Sequence, residues 1–277
     1  MKTKITLGFS PCPNDTFIFD ALINNKIENK DFDFELKIAD VEELNRMILK
    51  SELDVSKISY HLYPFVNDNY QILNAGSALG NCNGPILISK YKIYPDEIKD
   101  LKVAIPGKYT TANLLFSIFY PHITNKPEYL FSDIEEVIMS NEVDAGLIIH
   151  ETRFTYMKIG LKKIVDLGEK WETEMKQPLP LGGISIKRNL PEDLKIKINQ
   201  LISSSVSYAF EKPLGTYSYI KQYSQSLSEE VIQSHINLYV NNFTIDLKEK
   251  GRKAIEILFA KAIENKLVPE LKNKIFI

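Results

Sequence analysis

Four short polar clusters each follow a run of strand-forming residues. They are Ser10-Pro11-Cys12-Pro13-Asn14-Asp15 after 4–9, Ser59-Tyr60-His61 after 54–59, Gly107-Lys108-Tyr109-Thr110-Thr111 after 101–106, and His150-Glu151 after 144–149. In open α/β sheets ligands bind outside the carboxyl ends of strands, so these are the places to look for chemistry. His150 closes the apolar run Leu147-Ile148-Ile149, and imidazole is the side chain best suited to take a proton near neutral pH. A histidine bonded to a backbone carbonyl would look the same in isolation; three further polar loops at the same sheet edge favour the base. Glu151 and Arg153 follow it and either orient the imidazole or pair with each other. Thr110-Thr111 stands where a helix begins, and its hydroxyls and unpaired amides either hold a carboxylate or simply cap the helix. It is no Walker loop, because the position five before Gly107 is Lys102.

The remaining histidines, His61, His122 and His235, read as structural: one in a Tyr-rich stretch, one in a loop, one in a helix. No H-E-x-x-H and no Cys pair at ligand spacing occurs, so no metal is expected. Cys12 has the position of a nucleophile but no base tied to it by motif, and reads as a buried free thiol.

To carry these clusters the chain must alternate strands and helices. Residues 4–9, 34–39 and 54–59 read as strands, with helices over 16–25 (Asp15 as N-cap) and 42–50 between them. A second series follows: strands at 85–90, 101–106 and 144–149, a helix after Thr111, and one over 133–140. Two prolines and Gly182-Gly183 in 178–188 suggest a hinged return crossing, and helices fill 191–211, 228–240 and the stretch after Asp246. The expectation is an α/β fold of mixed, mainly parallel sheets with a helical C-terminal tail. Residues 1–85 plus 184–277 form one discontinuous lobe, and 86–183 the second, inserted between two hinge crossings.

With 34 Lys+Arg against 36 Asp+Glu, the charge is too balanced for a nucleic-acid footprint. No apolar run reaches the 18 residues of a membrane span, and the first ten residues build no signal-peptide core before Pro11 and Asn14. Two cysteines in 277 residues fit a reducing compartment rather than a disulfide framework. The expected location is therefore cytoplasmic and the partner a small molecule, with neither nucleic acid nor membrane involved.

The blocks LGFSPCPNDTFIFDAL (7–22), DVEELN (40–45), KISY (57–60), IPGKYTTA (105–112), AGLIIHETRFTY (145–156) and PLPLGGI (178–184) closely resemble the 1,4-dihydroxy-6-naphthoate synthase family of the futalosine route to menaquinone. YVNNF (239–243) extends the likeness into the helical tail. The resemblance implies a two-lobed fold like type II periplasmic binding proteins, with substrate in the interlobe cleft. The implied substrate is cyclic dehypoxanthinyl futalosine, a carboxylate, which loses its sugar-derived portion without a cofactor. It implies His150 as proton acceptor and Lys57, Ile58, Ser59, Thr110 and Thr111 lining the substrate site, with Asn14, Tyr60, Glu151 and Arg153 as further cleft-lining candidates. The rivals are a non-catalytic small-carboxylate-binding or sensor protein of the same fold, and the chorismate-derived dehydratase of the same pathway.

Overall fold

Two sheets carry the polar clusters. The computed structural model describes residues 2–224 and 227–277. The strands are β1 (Thr3–Phe9), β2 (Phe32–Ile38), β3 (Val55–Ser59), β4 (Tyr70–Ile72), β5 (Ala78–Gly80), β6 (Ile86–Ser89), β7 (Val103–Ala104), β8 (Ala145–Ile148), β9 (Lys162–Asp166) and β10 (Leu179–Lys187). The helices are α1 (Pro13–Ile23), α2 (Val41–Leu49), α3 (Tyr63–Val66), α4 (Thr111–Phe119), α5 (Ile134–Met139), α6 (Leu167–Met175), α7 (Glu192–Glu211), α8 (Pro213–Tyr223), α9 (Glu229–Tyr239), α10 (Asn242–Ile245) and α11 (Lys248–Glu264). The first sheet runs β2-β1-β3-β10-β4, with β5 also paired to β10; the second runs β7-β8-β6-β9.

The sheets are mixed, as expected, but between the named strands parallel pairing is confined to β1–β2, β1–β3 and β7–β8. β6 and β10 run antiparallel to every neighbour they have. The reason is connectivity: β6 opens the second sheet and β10 closes the first, so each enters its sheet against the direction set by the βαβ units. Antiparallel pairings therefore outnumber parallel ones, against the sequence expectation.

β10 also moves the second crossing. The whole of Leu179–Lys187 belongs to the first sheet, pairing with Ser59 through Val55 and with β4 and β5, so residues 179–183 leave the inserted segment and the crossing falls at 176–178. Gly182 and Gly183 are mid-strand rather than hinge residues. A Cβ on Gly183 would stand 2.7 Å from the Tyr60 hydroxyl, and one on Gly182 2.6 Å from the Ile58 carbonyl, which is why this strand needs glycine where it meets β3.

One apolar core is shared by both sheets, joining Ile58 and Leu79 to Leu87 and Leu147 through Leu115 and Phe116 of α4. A second core lies on the other face of the first sheet, where Phe17 and Ile18 of α1 meet Ile198, Ile202 and Val206 of α7 and Ile232 of α9. The helical tail thus clamps α1, whose amino end carries the SPCPND cluster, onto the sheet. That helix starts at Pro13, and Cys12, not Asp15, is its N-cap; no side chain caps it. Proline at the first position fits, since its missing N–H has no intrahelical partner to lose.

Candidate active site

A cleft enclosing about 660 Å3, mouth included, opens at the carboxyl ends of β1, β3 and β8. Its walls bring together Asn14, Lys57, Ile58, Ser59, Thr110, Thr111 and His150, residues spread over 137 positions of the sequence. Three of the remaining candidates lie outside its lining. Tyr60 is fully buried with its hydroxyl 2.7 Å from that of Ser77, because the strand's alternation turns it to the face opposite Ser59. Arg153 bonds the Asp166 carboxylate at 3.0 Å and also the Gly84 carbonyl. It fastens the first crossing to the end of β9 rather than pairing with Glu151. Glu151 keeps one buried carboxylate oxygen without a partner.

His150 occupies the first turn of a 3-10 segment, His150–Phe154, that follows β8. Its φ is +56°, a left-handed conformation costing roughly 1–3 kcal/mol for a side chain of this kind and typical of functional positions. The edge of Phe131 meets the ring at 5.0 Å between centroids, and Nε2 is buried with no hydrogen-bond partner. A ring nitrogen left unpaired at the cleft wall keeps its hydrogen-bonding capacity for a bound molecule.

Asp15, in the first turn of α1, organises the floor. Its carboxylate accepts from Ser10 N–H (3.1 Å), Ser10 Oγ (2.7 Å) and Asn14 Nδ2 (2.8 Å) and stands 2.9 Å from Lys57 Nζ. The Lys57 ammonium makes no well-directed hydrogen bond despite that short distance; at this burial the ion pair is the interaction that counts. Ser59 accepts from Asn45 Nδ2 at 3.1 Å and its N–H donates to Asn45 Oδ1 at 3.0 Å, which leaves the hydroxyl proton free for the cleft.

Thr110 is both cap and cleft wall. Its Oγ1 accepts from Asn113 N–H and donates to the Gly107 carbonyl at 2.8 Å, while Thr111 Oγ1 donates to Leu181 O at 2.6 Å. Both hydroxyl protons are thus committed to carbonyls, and the amides of Thr111 and Ala112, the first two of α4, are the donors left to an anion. Beneath them His61, reckoned structural, bonds the Thr110 carbonyl through Nδ1 at 3.0 Å; burial pulls it down to about 4, so the ring stays neutral. Replacing both threonines with valine should loosen the loop and weaken binding of a carboxylate ligand by roughly 1–3 kcal/mol. An unchanged dissociation constant for an aromatic carboxylate, measured calorimetrically, would show that the amides suffice.

On the rim, the Glu42 carboxylate of α2 accepts from Asn45 (3.2 Å) and from Tyr109 N–H (3.2 and 3.3 Å), reaching from the first sheet to the Gly107 loop of the second. Gly107, at φ +143°, has no room for a Cβ beside Glu42. Burial pushes Glu42 up to about 7, against the pull of Asn45, the Tyr109 amide and Arg46. A carboxyl raised above its unfolded value binds its proton more tightly when folded, so stability should fall as pH rises from about 4.5 to 7 and level off above. Glu42→Gln keeps the acceptor and should flatten that part of the melting profile; an unaltered profile would place the slope elsewhere.

The histidine that sequence reasoning passed over is His235. It is fully buried on α9, its Nε2 lies 2.9 Å from Asn14 Oδ1, and its ring stacks on that of His150. No spacing rule ties residue 235 to residue 150; the only sequence signal was a histidine on an otherwise apolar helical face. Cys12 is buried and its thiol is pushed well up by burial and by Glu151, which leaves it a poor nucleophile. Among the described residues no group of three or more His, Cys, Asp or Glu side chains is placed to hold a metal ion, and no helix is long and apolar enough to cross a membrane.

Two sheets joined by two crossings, with polar loops converging on a cleft between them, define a periplasmic-binding-protein-like α/β protein. The alkanesulfonate-binding protein SsuA from Xanthomonas axonopodis pv. citri superposes with a TM-score of 0.70 at 10% identity, covering 98% of this chain and 96% of its own, a likeness of fold. A sequence profile described as menaquinone biosynthesis matches residues 5–264, and the chain belongs to that family. It is 40% identical over 273 residues to the 1,4-dihydroxy-6-naphtoate synthase of Thermus thermophilus, covering 99% of both chains, and 36% identical over 275 residues to that of Streptomyces coelicolor, covering 96% and 95%. A crystal structure of an Archaeoglobus fulgidus protein, 34% identical, superposes with a TM-score of 0.90 over 96% of this chain and 98% of that one. The chain is accordingly an enzyme of menaquinone biosynthesis.

Proposed function

We propose that the chain is a carbon–carbon lyase that converts cyclic dehypoxanthinyl futalosine to 1,4-dihydroxy-6-naphthoate in the cytoplasm, with His150 as general base. The observation that carries this reading is the buried, unpartnered Nε2 of His150 on the wall of a cleft that also presents Ser59 and the amino end of α4. A carboxylate bound at those amides would lay its aromatic skeleton along the cleft towards the imidazole. Loss of one proton and cleavage of one carbon–carbon bond lead to an aromatic ring, so the reaction calls for a base and for orientation, and needs no cofactor. A single well-placed base contributes about 10²–10⁴-fold, and closing the two lobes over the substrate adds water exclusion.

The test is incubation of purified protein with cyclic dehypoxanthinyl futalosine, following naphthoate by absorbance and mass. Formation of 1,4-dihydroxy-6-naphthoate is expected; recovery of unchanged substrate would refute the assignment. A chorismate-derived dehydratase would instead act on its own, chemically different substrate, so the same assay run with chorismate-type enol ethers separates the two enzymes.

A further inference from the structure

His150 and His235 meet ring to ring from different sheets. His150 follows β8 of the second sheet, whereas α9 packs against α1 and β5 of the first. Their planes are 5° apart and their centroids 6.0 Å. With Phe131 edge-on at 5.0 Å, the His150 ring has one neighbour from its own side of the cleft and one from the other.

The hydrogen bonds fix which proton His235 carries. Asn14 gives its Nδ2 to Asp15 Oδ1 at 2.8 Å, so the atom it turns to His235 Nε2, at 2.9 Å, is its carbonyl oxygen. An amide oxygen only accepts, hence Nε2 of His235 is protonated and Nδ1 is a bare lone pair. That Nδ1 is buried without a partner, so a second proton would create an unpaired cation in a dry site. The charged and titratable groups facing this pair include Cys12 and Lys57, with its partner Asp15, from the first sheet's elements, Tyr239 on α9 itself, and Glu151, Arg153 and Asp166 from the second sheet's side, with Glu135 beside Glu151. Burial, with His150 and Lys57 adding to it, holds His235 well below the ordinary imidazole range.

We propose that His235 is a positioning residue, a permanently neutral imidazole tethered through Asn14 and Asp15, on which the ring of His150 is seated so that the substrate's proton passes to His150 alone. The inference rests on the reading of His150 as the base. Because the two rings come from different sheets, this seat spans the two walls of the cleft. His235 itself stays behind the wall and does not touch substrate.

His235→Leu removes ring and tether, and should lower kcat by about tenfold or more while KM stays within roughly threefold. His235→Phe restores a ring without the tether and should recover at least roughly threefold of that loss. In long-range 1H–15N spectra of the wild-type enzyme, His235 should remain neutral and Nε2-protonated from about pH 8 to about pH 5. A smaller kcat loss in the leucine variant, a loss expressed in KM, or a phenylalanine variant no faster than leucine overturns the proposal. A cationic His235 at about pH 6 overturns it whatever the substrate. If the leucine variant does not fold, the phenylalanine variant, compared with wild type, and the spectra decide the matter. Wild-type enzyme inactive on cyclic dehypoxanthinyl futalosine would overturn the substrate assignment instead, and the spectra would still judge His235.

Discussion

Replacing His150 with asparagine should yield a folded protein whose turnover is lower by ~10²-fold or more. Asparagine is the informative choice because position 150 holds φ at +56°, a region that asparagine tolerates better than most residues. The melting temperature should therefore hold while the proposed proton acceptor is lost. The effect belongs in kcat and kcat/KM together, since the proposed base acts on the transition state rather than on binding. Turnover close to wild type in a correctly folded variant would remove His150 from the chemistry and with it the proposed mechanism.

The largest stability effect is expected at Asp15. Asp15→Asn keeps the shape but leaves the Lys57 ammonium, 5% exposed, without its counter-charge. Removing one partner of a buried pair typically costs about 3–5 kcal/mol, which for a chain of this size lowers the melting temperature by on the order of 10 °C. The same change loosens Ser10 and Asn14, which now hold to the carboxylate, so activity should fall as well. Adding Lys57→Met to Asp15→Asn should restore much of the stability but none of the activity, because the orphaned charge goes while the polar floor stays broken. If Asp15→Asn alone cost less than about 1 kcal/mol, the pair would have to be hydrated in solution.

Much of this was legible in the chain itself. The place of His150 on the cleft wall could be read because a histidine ended an apolar strand where the fold opens its cleft, and that of Thr110 because hydroxyl residues announce a helix start. Register and partner choice were not legible. β9 was passed over because Lys162 and Lys163 open it on the exposed side of an edge strand, where charge is favoured and hides the β pattern. Asp15 looked like a cap because acidic residues near helix starts commonly are; only the fold shows Lys57 arriving from β3 to claim it. His235 carried no local mark, since a helical pattern reveals that a face is buried but not what covers it.

The place of β10 has a bearing on how the chain is made. β3 finds its neighbour on one side in β1, but on the other only in residues 179–187, and β4 and β5 join the first sheet through that same late strand. During synthesis the first half of this sheet must therefore wait, with the unpaired edge of β3 open, while about a hundred intervening residues emerge and form the second sheet. Slow emergence or a truncation before residue 187 would leave that edge available to other chains. The enzyme's demand on chaperones should thus fall on one strand edge rather than on its overall size.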